Sequence, residues 1–388
     1  MTKYVYADDF LKSCNGLFLG IYQGYNGNYV AQLCHRELHK DIQRNLQRVW
    51  GVDLSADDVS EIFQAAYRRI DRIQLIAEGE HPRTRWSGCS AVTCLLVQDT
   101  LYVANEGSLR GLLLRENNTL KEVTSAHDLY NRKERTRVRG SRGVIVKTEK
   151  CALVNGVLAT TRGLGNQGDW RLKVCVINKP RFRALKLRQE DRMLVLASEG
   201  LWKVFNHREI LCLLNKFVRD AVVRKMLSEA ERAPSVTSVP EGQHLGTPKL
   251  PEHDSEYCMF AKQLTKGPID FSVPQRVNWS PNNPQIFVRK ASVAIEEPLS
   301  HNSPASTSRK SNSSRLSESE SARDDEDLQE LARIISVECE SLSARREISR
   351  LLSRRLLKSA LIAGAEVDNV VFVLLLRGFK IESKEVTV

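Results

Sequence analysis

Apolar side chains recur every three to four positions from Tyr29 to Val49 and again from Ala56 to Glu78, which predicts two amphipathic helices. The pattern then changes. The stretches SGCSAVTCLLVQ, TLYVANEG and RGLLLRE are rich in β-branched and apolar residues and read as consecutive strands. Asn117-Asn118, between two apolar runs, predicts a hairpin turn. Ahead of the first helix, the run Leu17–Tyr22 breaks at Gln23-Gly24 and at Asn26-Gly27, a strand ending in a glycine turn. Met193–Ala197 reads as a buried strand followed by a helix start, and HREILCLLNKFV as an amphipathic helix.

Periodicity stops near Arg232. From 233 to 326 the chain is dominated by Ser, Pro, Asn and charge, and cannot bury enough apolar surface to offset its ordering entropy. A mostly disordered Ser/Pro-rich insertion is expected there, with QIFVRKASVAI as a short docked strand. Helical pattern returns at Asp327, the expected N-cap region, and runs to Gly364 as a stop. The final run, DNVVFVLLLRGFKI, is continuously apolar and is expected in the middle of a sheet. A closing strand of that kind has to return to the core of the first segment. One domain made of 1–232 and 327–388, interrupted by 233–326, is the organisation expected.

Composition narrows the classes. The chain has 388 residues and a net charge of +11, which permits an anionic partner without naming one. Its nine cysteines are scattered, odd in number and without a C-x-x-C pair, as free thiols of a reducing compartment would be. There is no secretory signal pattern and no apolar run long enough to cross a membrane. A cytoplasmic or nuclear protein is expected, with no membrane span. The basic run Arg132–Arg142 reads as a solvated loop, with an anion or phosphopeptide contact as its functional alternative. Aromatic residues do not interleave it, so nucleic-acid binding is not expected. His35 and His39 stand four apart beside Cys34, but further ligands for a metal are missing.

Five segments, in order, carry a resemblance. They are LFLGIYQGYNGNYVA, SGCSAVTCLLVQDTLYVANEGSLRGLLL, NGVLATTRGLGN, DRMLVLASEGLWKVF and GAEVDNVVFVLLL. Together they resemble the metal-dependent protein phosphatase 2C family (PPM type). The resemblance implies an α+β fold: a four-layer α-β-β-α sandwich of two antiparallel sheets flanked by helices. It also implies two Mg²⁺ or Mn²⁺ ions bridged by carboxylates, with a metal-bound water as nucleophile toward phosphoserine or phosphothreonine.

Carried over residue by residue, the resemblance gives a depleted ligand set. The bridging Asp of the family's strand-end turn is Gln23 here. Gly24 keeps the glycine whose carbonyl is a ligand, and the His that follows is Tyr25. The Asp of an extra metal position falls at Ala126, the Asp of the Gly-Asp pair at Asn166, and the second Asp of the D-G-L-W-D segment at Lys203. Glu199 and Asp368 remain acidic. In the family's G-D-S-R hairpin, Ser108 and Leu109 replace Asp and Ser, while Arg110 is retained. The phosphate-binding Arg and the Glu-Asp pair that the family places about 22 residues before the turn have no counterpart, and the N-terminal strand of the first sheet is expected to be missing.

Three anionic positions have become neutral and one cationic, whereas two dications close together need anions around them. Lys203 follows Glu199 at i, i+4 and is expected to stand where a metal would. Gly24, Glu199 and Asp368 are the vestigial metal set, and any residual ion would be Mg²⁺ or Mn²⁺. The expected function is that of a catalytically impaired phosphatase-like protein, a pseudophosphatase. It would bind or scaffold phosphoproteins or signalling partners. The alternative is a weakly active Mg²⁺/Mn²⁺-dependent Ser/Thr phosphatase. Within the insertion, Arg276, Val277 and Trp279 resemble a docking peptide for type-1 protein phosphatase, and Ser292 and Ser311 follow basic residues as kinase acceptors do.

Overall fold

The computed structural model describes residues 1–11, 16–49, 54–76, 82–149, 151–232, 276–280, 283–289, 326–334, 342–365 and 368–376. The first sheet has strands β1 (Thr2–Ala7), β2 (Leu17–Tyr25), β3 (Gly88–Val97), β4 (Thr100–Glu106) and, further along the chain, β10 (Arg181–Lys186), in the order β1-β2-β3-β4-β10. The short β9 (Leu164–Gly165) pairs with the start of β3. The second sheet has the order β14-β11-β5-β6, built from β5 (Arg110–Arg115), β6 (Leu120–Glu122), β11 (Asp191–Ala197) and β14 (Val371–Leu375). Every pairing in the two sheets is antiparallel.

Alternation along the strands sorts the side chains into three cores. Leu19 and Ile21 of β2, Val92 and Cys94 of β3, Leu113 of β5 and Leu194 and Leu196 of β11 meet between the two sheets. Their neighbours point the other way. Phe18 and Tyr22 pack under helices α1 (Tyr29–Leu33), α2 (His39–Val49) and α3 (Ala56–Ile76). Leu112, Leu114, Met193 and Val195 pack under α6 (Glu199–Val204), α7 (His207–Arg232), a helical stretch α8 at 326–334, and α9 (Leu342–Ile362). Helix, sheet, sheet and helix therefore follow one another, and the four-layer α-β-β-α sandwich expected of the resemblance is the fold. A π-helical stretch, Cys34–Leu38, joins α1 to α2.

A smaller fourth cluster lies beside the sandwich. It contains α4 (Arg132–Gly140), the hairpin of β7 (Ile145–Lys147) and β8 (Ala152–Val154), and α5 (Trp170–Cys175). The basic run expected as a loop is this helix α4. Asn131 caps it through its side chain, which accepts from the Lys133 N–H, and Val138 and Glu134 are buried. Only two residues of the run face inward, so the apolar periodicity was too sparse to show.

Other expectations also change. A strand does precede the glycine turn: β1 pairs with β2 from Thr2↔Gln23 to Ala7↔Phe18. Only Val5 of β1 is buried, while Tyr4 and Tyr6 stay largely exposed, which hid it from a hydrophobicity reading. The last strand, expected centrally, is an edge of its sheet among the described residues. Helix α9 covers that edge. The Ser349 and Ser353 hydroxyls accept from the N–H groups of Leu375 (2.8 Å) and Val373 (2.7 Å). Four residues of helix and two of strand cover similar lengths, so two serines satisfy two outward N–H groups.

Asp327 is inside helix α8, not its cap, and its carboxylate holds Arg354 of α9 at 2.6 Å. Gly364, at φ +91, ends α9 as expected. Asn118 takes φ 58 in the β5–β6 turn. Within 233–325 the described residues form one hairpin, β12 (Arg276–Ser280) with β13 (Asn283–Arg289). Ser292, Ser311 and the rest of the expected disordered insertion lie outside the described residues.

Candidate functional site

The end of β2, the start of α6 and the turn before β14 meet at one place. Gln23 is two residues from the end of β2, and its side-chain oxygen accepts from the backbone N–H of Glu199 at 3.1 Å. Glu199 opens α6 and carries an ion pair with Lys203 one turn on, Nζ to Oε1 3.3 Å. Both side chains are partly exposed, 38% for Glu199 and 56% for Lys203, so the pair is worth little to stability.

Asp368 is brought to this place by its neighbour. Asn369 accepts from the buried Ser198 hydroxyl at 2.9 Å, and the same hydroxyl accepts from the Val370 N–H at 3.0 Å. Gly200 must be glycine, because a Cβ there would stand 2.0 Å from the Asn369 amide oxygen. The Asp368 carboxylate itself is bonded to the Met1 ammonium at 2.8 Å, which holds its pKa below the ordinary value. The Met1 carbonyl accepts from the Gly24 N–H at 3.1 Å. Gly24, Glu199, Asp368, Gln23 and Lys203 are linked at this place by these bonds.

Asn166 belongs to a second group beside it. It follows Gly165 after β9, with φ 61, and its Nδ2 donates to the Tyr25 hydroxyl at 3.0 Å. Tyr25 fits where two glycines leave room: a Cβ on Gly163 would lie 2.3 Å from its oxygen and one on Gly88 2.2 Å from its ring. Burial drives the phenol pKa up, so Tyr25 stays neutral, a donor and acceptor with no charge. Ala126 lies in the half-buried loop before His127 and brings no donor atom. Ser108 bonds through its N–H to the Ser90 hydroxyl, Leu109 is buried between the sheets, and Arg110 opens β5 opposite Ala197.

A dication position needs several oxygens, carboxylates above all. Here an amide occupies the bridging place and the Glu199 carboxylate is paired with a lysine. Among the described residues no three His, Cys, Asp or Glu side chains are grouped so as to hold a metal ion. His35 and His39 are not such a group either: the His35 ring bonds the Tyr4 carbonyl at 2.9 Å. The donor set does not fit a two-metal centre. Arg276, Val277 and Trp279 lie on β12, and Arg276 and Val277 pair with Arg289 and Val288 of β13 instead of forming a lone extended segment.

Two carboxylates that sequence reasoning did not single out sit behind this region. Glu134 of α4 bonds Arg162 and Arg137, and accepts from the Thr161 hydroxyl at 2.9 Å. Burial opposes its charge, yet the two guanidinium groups and the hydroxyl hold its pKa down to about 2. Glu106, at the end of β4, is fully buried with neither oxygen in a well-formed hydrogen bond. Burial, reinforced by the charge of Asp71, pushes its pKa well above the ordinary carboxylate range. Of the Glu134 partners only Arg137, three residues on in α4, is local; Arg162, Thr161 and the Asp71 that faces Glu106 come from distant elements.

A two-sheet sandwich flanked by helices, with a strand-end glycine turn facing an acid-Gly helix start and an Asp-Asn turn, defines a metal-dependent phosphatase class. The chain belongs to the protein phosphatase 2C family, whose model matches residues 11–237, more than half of its length. It is 30% identical over 190 residues to the mouse protein phosphatase 2C-like domain-containing protein 1, covering 41% of this chain and 30% of that protein. It is 24% identical over 283 residues to the human protein of the same name, covering 54% and 45%. The chain thus spans less than half the length of either relative. Among solved structures, a serine-threonine phosphatase 2C from Toxoplasma gondii aligns with TM-score 0.47 at 16% identity, over 59% of this chain and 84% of that one.

Proposed function

We propose that this chain is a pseudophosphatase, a protein phosphatase 2C-type domain that acts by binding phosphoproteins or signalling partners and does not hydrolyse phosphoesters efficiently. One observation carries the reading: the residues at the altered ligand positions bond to one another. Gln23 receives the Glu199 N–H, Lys203 lies on Glu199, and Asn166 donates to Tyr25. These bonds take the place of metal contacts at Gln23, at Lys203 and at the Asn166 Nδ2, while the Asn166 Oδ1 is buried without a hydrogen-bond partner among the described residues. The competing reading, a weakly active Mg²⁺/Mn²⁺-dependent Ser/Thr phosphatase, draws on the two carboxylates that remain, Glu199 and Asp368. No described helix is long and apolar enough to cross a membrane.

Purified protein in millimolar Mn²⁺ with a phosphoserine or phosphothreonine peptide is expected to release no phosphate above a matched blank. Release that is abolished by Asp368→Ala would overturn the proposal and establish the weakly active reading.

A further inference from the structure

The stretch 131–175 holds eleven Lys and Arg against three Asp and Glu, a net +8 out of the chain's +11. The structure gathers this stretch into the cluster beside the sandwich, where apolar side chains are left outside. Trp170 is 71% exposed, Val144 63% and Trp86 53%; Val174, Val157 and Val146 are exposed as well.

These residues form one surface. Trp170 and Val174 are one turn apart on α5. The Trp86 ring lies against Gly168, where a Cβ would meet it at 3.0 Å, two residues before Trp170. The Asn155 side chain ties α5 to the hairpin. Its Oδ1 accepts from the Val144 N–H at 2.8 Å, and its Nδ2 donates to the Arg171 carbonyl at 3.3 Å. The cations of this cluster are available, and the Arg171 guanidinium lies over the Trp170 ring at 5.4 Å. Arg132, Lys133, Arg139, Arg142, Lys147 and Arg171 are all exposed, and none is within ion-pair distance of a carboxylate among the described residues.

The hairpin adds a backbone edge. The Asn155 N–H bonds the Val144 carbonyl and the Thr148 N–H bonds the Cys151 carbonyl, so 144, 146 and 148 face β8. By the alternation of an antiparallel ladder, Ile145 and Lys147 turn their N–H and C=O groups away from it. The hairpin is a two-stranded sheet, and no strand pairs with that outer edge of β7 among the described residues.

The geometry points to this surface, Trp86, Trp170 and Val174 with the outer edge of β7, as a docking site for an extended acidic segment of a partner protein. The segment would add to the β7 edge, set apolar anchors against the tryptophans and place carboxylates over the exposed cations. Charge excludes a basic partner. A free strand edge beside the tryptophans favours a peptide over a lipid surface or a nucleic acid, neither of which presents N–H and C=O groups at the regular alternating spacing of a strand. The surface borders Asn166 but shares none of the side chains of the Gln23–Glu199–Asp368 group, so this inference does not depend on whether that group binds metal.

The test selects a displayed library of random dodecapeptides on the full chain, then measures the enriched peptides by fluorescence anisotropy. Enriched sequences are expected to combine Asp and Glu with apolar residues at alternate positions. Trp170→Ala, and separately Lys147→Glu with Arg171→Glu, are expected to weaken binding about tenfold or more. Lys147→Pro removes an outward N–H that no strand partner uses and should do the same. All these variants change exposed residues and should melt within a few degrees of the parent. Three outcomes would overturn the inference: enrichment that survives the variants, tighter binding to phosphatidylserine vesicles or a single-stranded oligonucleotide than to any peptide, or occupancy by a synthetic peptide of the chain's own acidic stretch 317–326.

Discussion

The side-chain oxygen of Gln23 accepts a hydrogen bond from the backbone N–H of Glu199, 176 residues further along the chain, at 3.1 Å. The first sheet and the first turn of α6 are thereby joined by a neutral amide. In the family this strand end carries a carboxylate shared between cations. The lysine that follows Glu199 by one turn adds a positive charge to the same place.

Restoring negative charge should therefore restore metal binding. Gln23→Asp with Lys203→Asp is expected to bind Mn²⁺ by titration calorimetry and to melt several degrees higher in millimolar Mn²⁺, since an ion at about 100 times its Kd adds about 2.7 kcal/mol. The parent should move by less than about 1 °C under the same conditions. Equal shifts in both proteins would contradict the mismatch of the donor set.

Tyr25 and Asn166 should behave as a pair. Tyr25→Phe keeps the ring between Gly88 and Gly163 and removes only the hydroxyl that Asn166 bonds. A cost of about 1–2 kcal/mol is expected by urea denaturation. In a double-mutant cycle with Asn166→Ala the two losses should fall short of additive by about 1 kcal/mol. Full additivity would show that the bond contributes nothing.

Glu106 should lower stability as pH rises. Its folded pKa is raised by burial, so the unfolded chain releases its proton first, near the ordinary carboxylate value, and stability falls above that pH. Glu106→Gln cannot ionise. It should raise Tm at pH 7–8, with the gain shrinking toward pH 4. A gain independent of pH would mean that Glu106 is not held neutral.

Glu134 should act with the opposite sign. With a folded pKa near 2, its contribution is complete above about pH 4.5 and is lost as pH falls from there toward 2. Glu134→Gln is expected to cost about 2 kcal/mol at pH 7, a figure that allows for solvent reaching the guanidinium groups, and much less at pH 2.5. Chemical denaturation at the two pH values reads the difference directly.

The edge of β14 depends on two hydroxyls. Ser349→Ala or Ser353→Ala leaves an N–H of Leu375 or Val373 without its acceptor beneath α9. Each should cost about 1–3 kcal/mol and speed amide exchange at its own partner first. Uniform exchange changes across the sheet would argue against this local role.

The glycine turn, the acid-Gly helix start and the Asp-Asn turn were legible because each is a short local pattern with its own backbone demand. The order of five such patterns was enough to expect the two-sheet sandwich. Strand β1 and helix α4 were not legible, because each buries only one or two side chains and leaves no periodic apolar trace. The position of β14 was misread for a related reason. An apolar run reports that both faces and an edge are covered, without saying whether a strand or a helix covers the edge.

By itself the sequence determined which chemical groups stand at the family's ligand positions, since an amide at 23, an amide at 166 and an amine at 203 are covalent facts. It also determined the Glu199–Lys203 pair, because four residues of helix make one turn. Only the tertiary structure decided that Gln23 meets the Glu199 N–H, that Asn166 meets Tyr25, and that the Trp86 ring lies against Gly168 within the basic stretch. Those contacts join residues far apart in the chain, and the packing of sheets and helices brings them together where no local pattern can specify it.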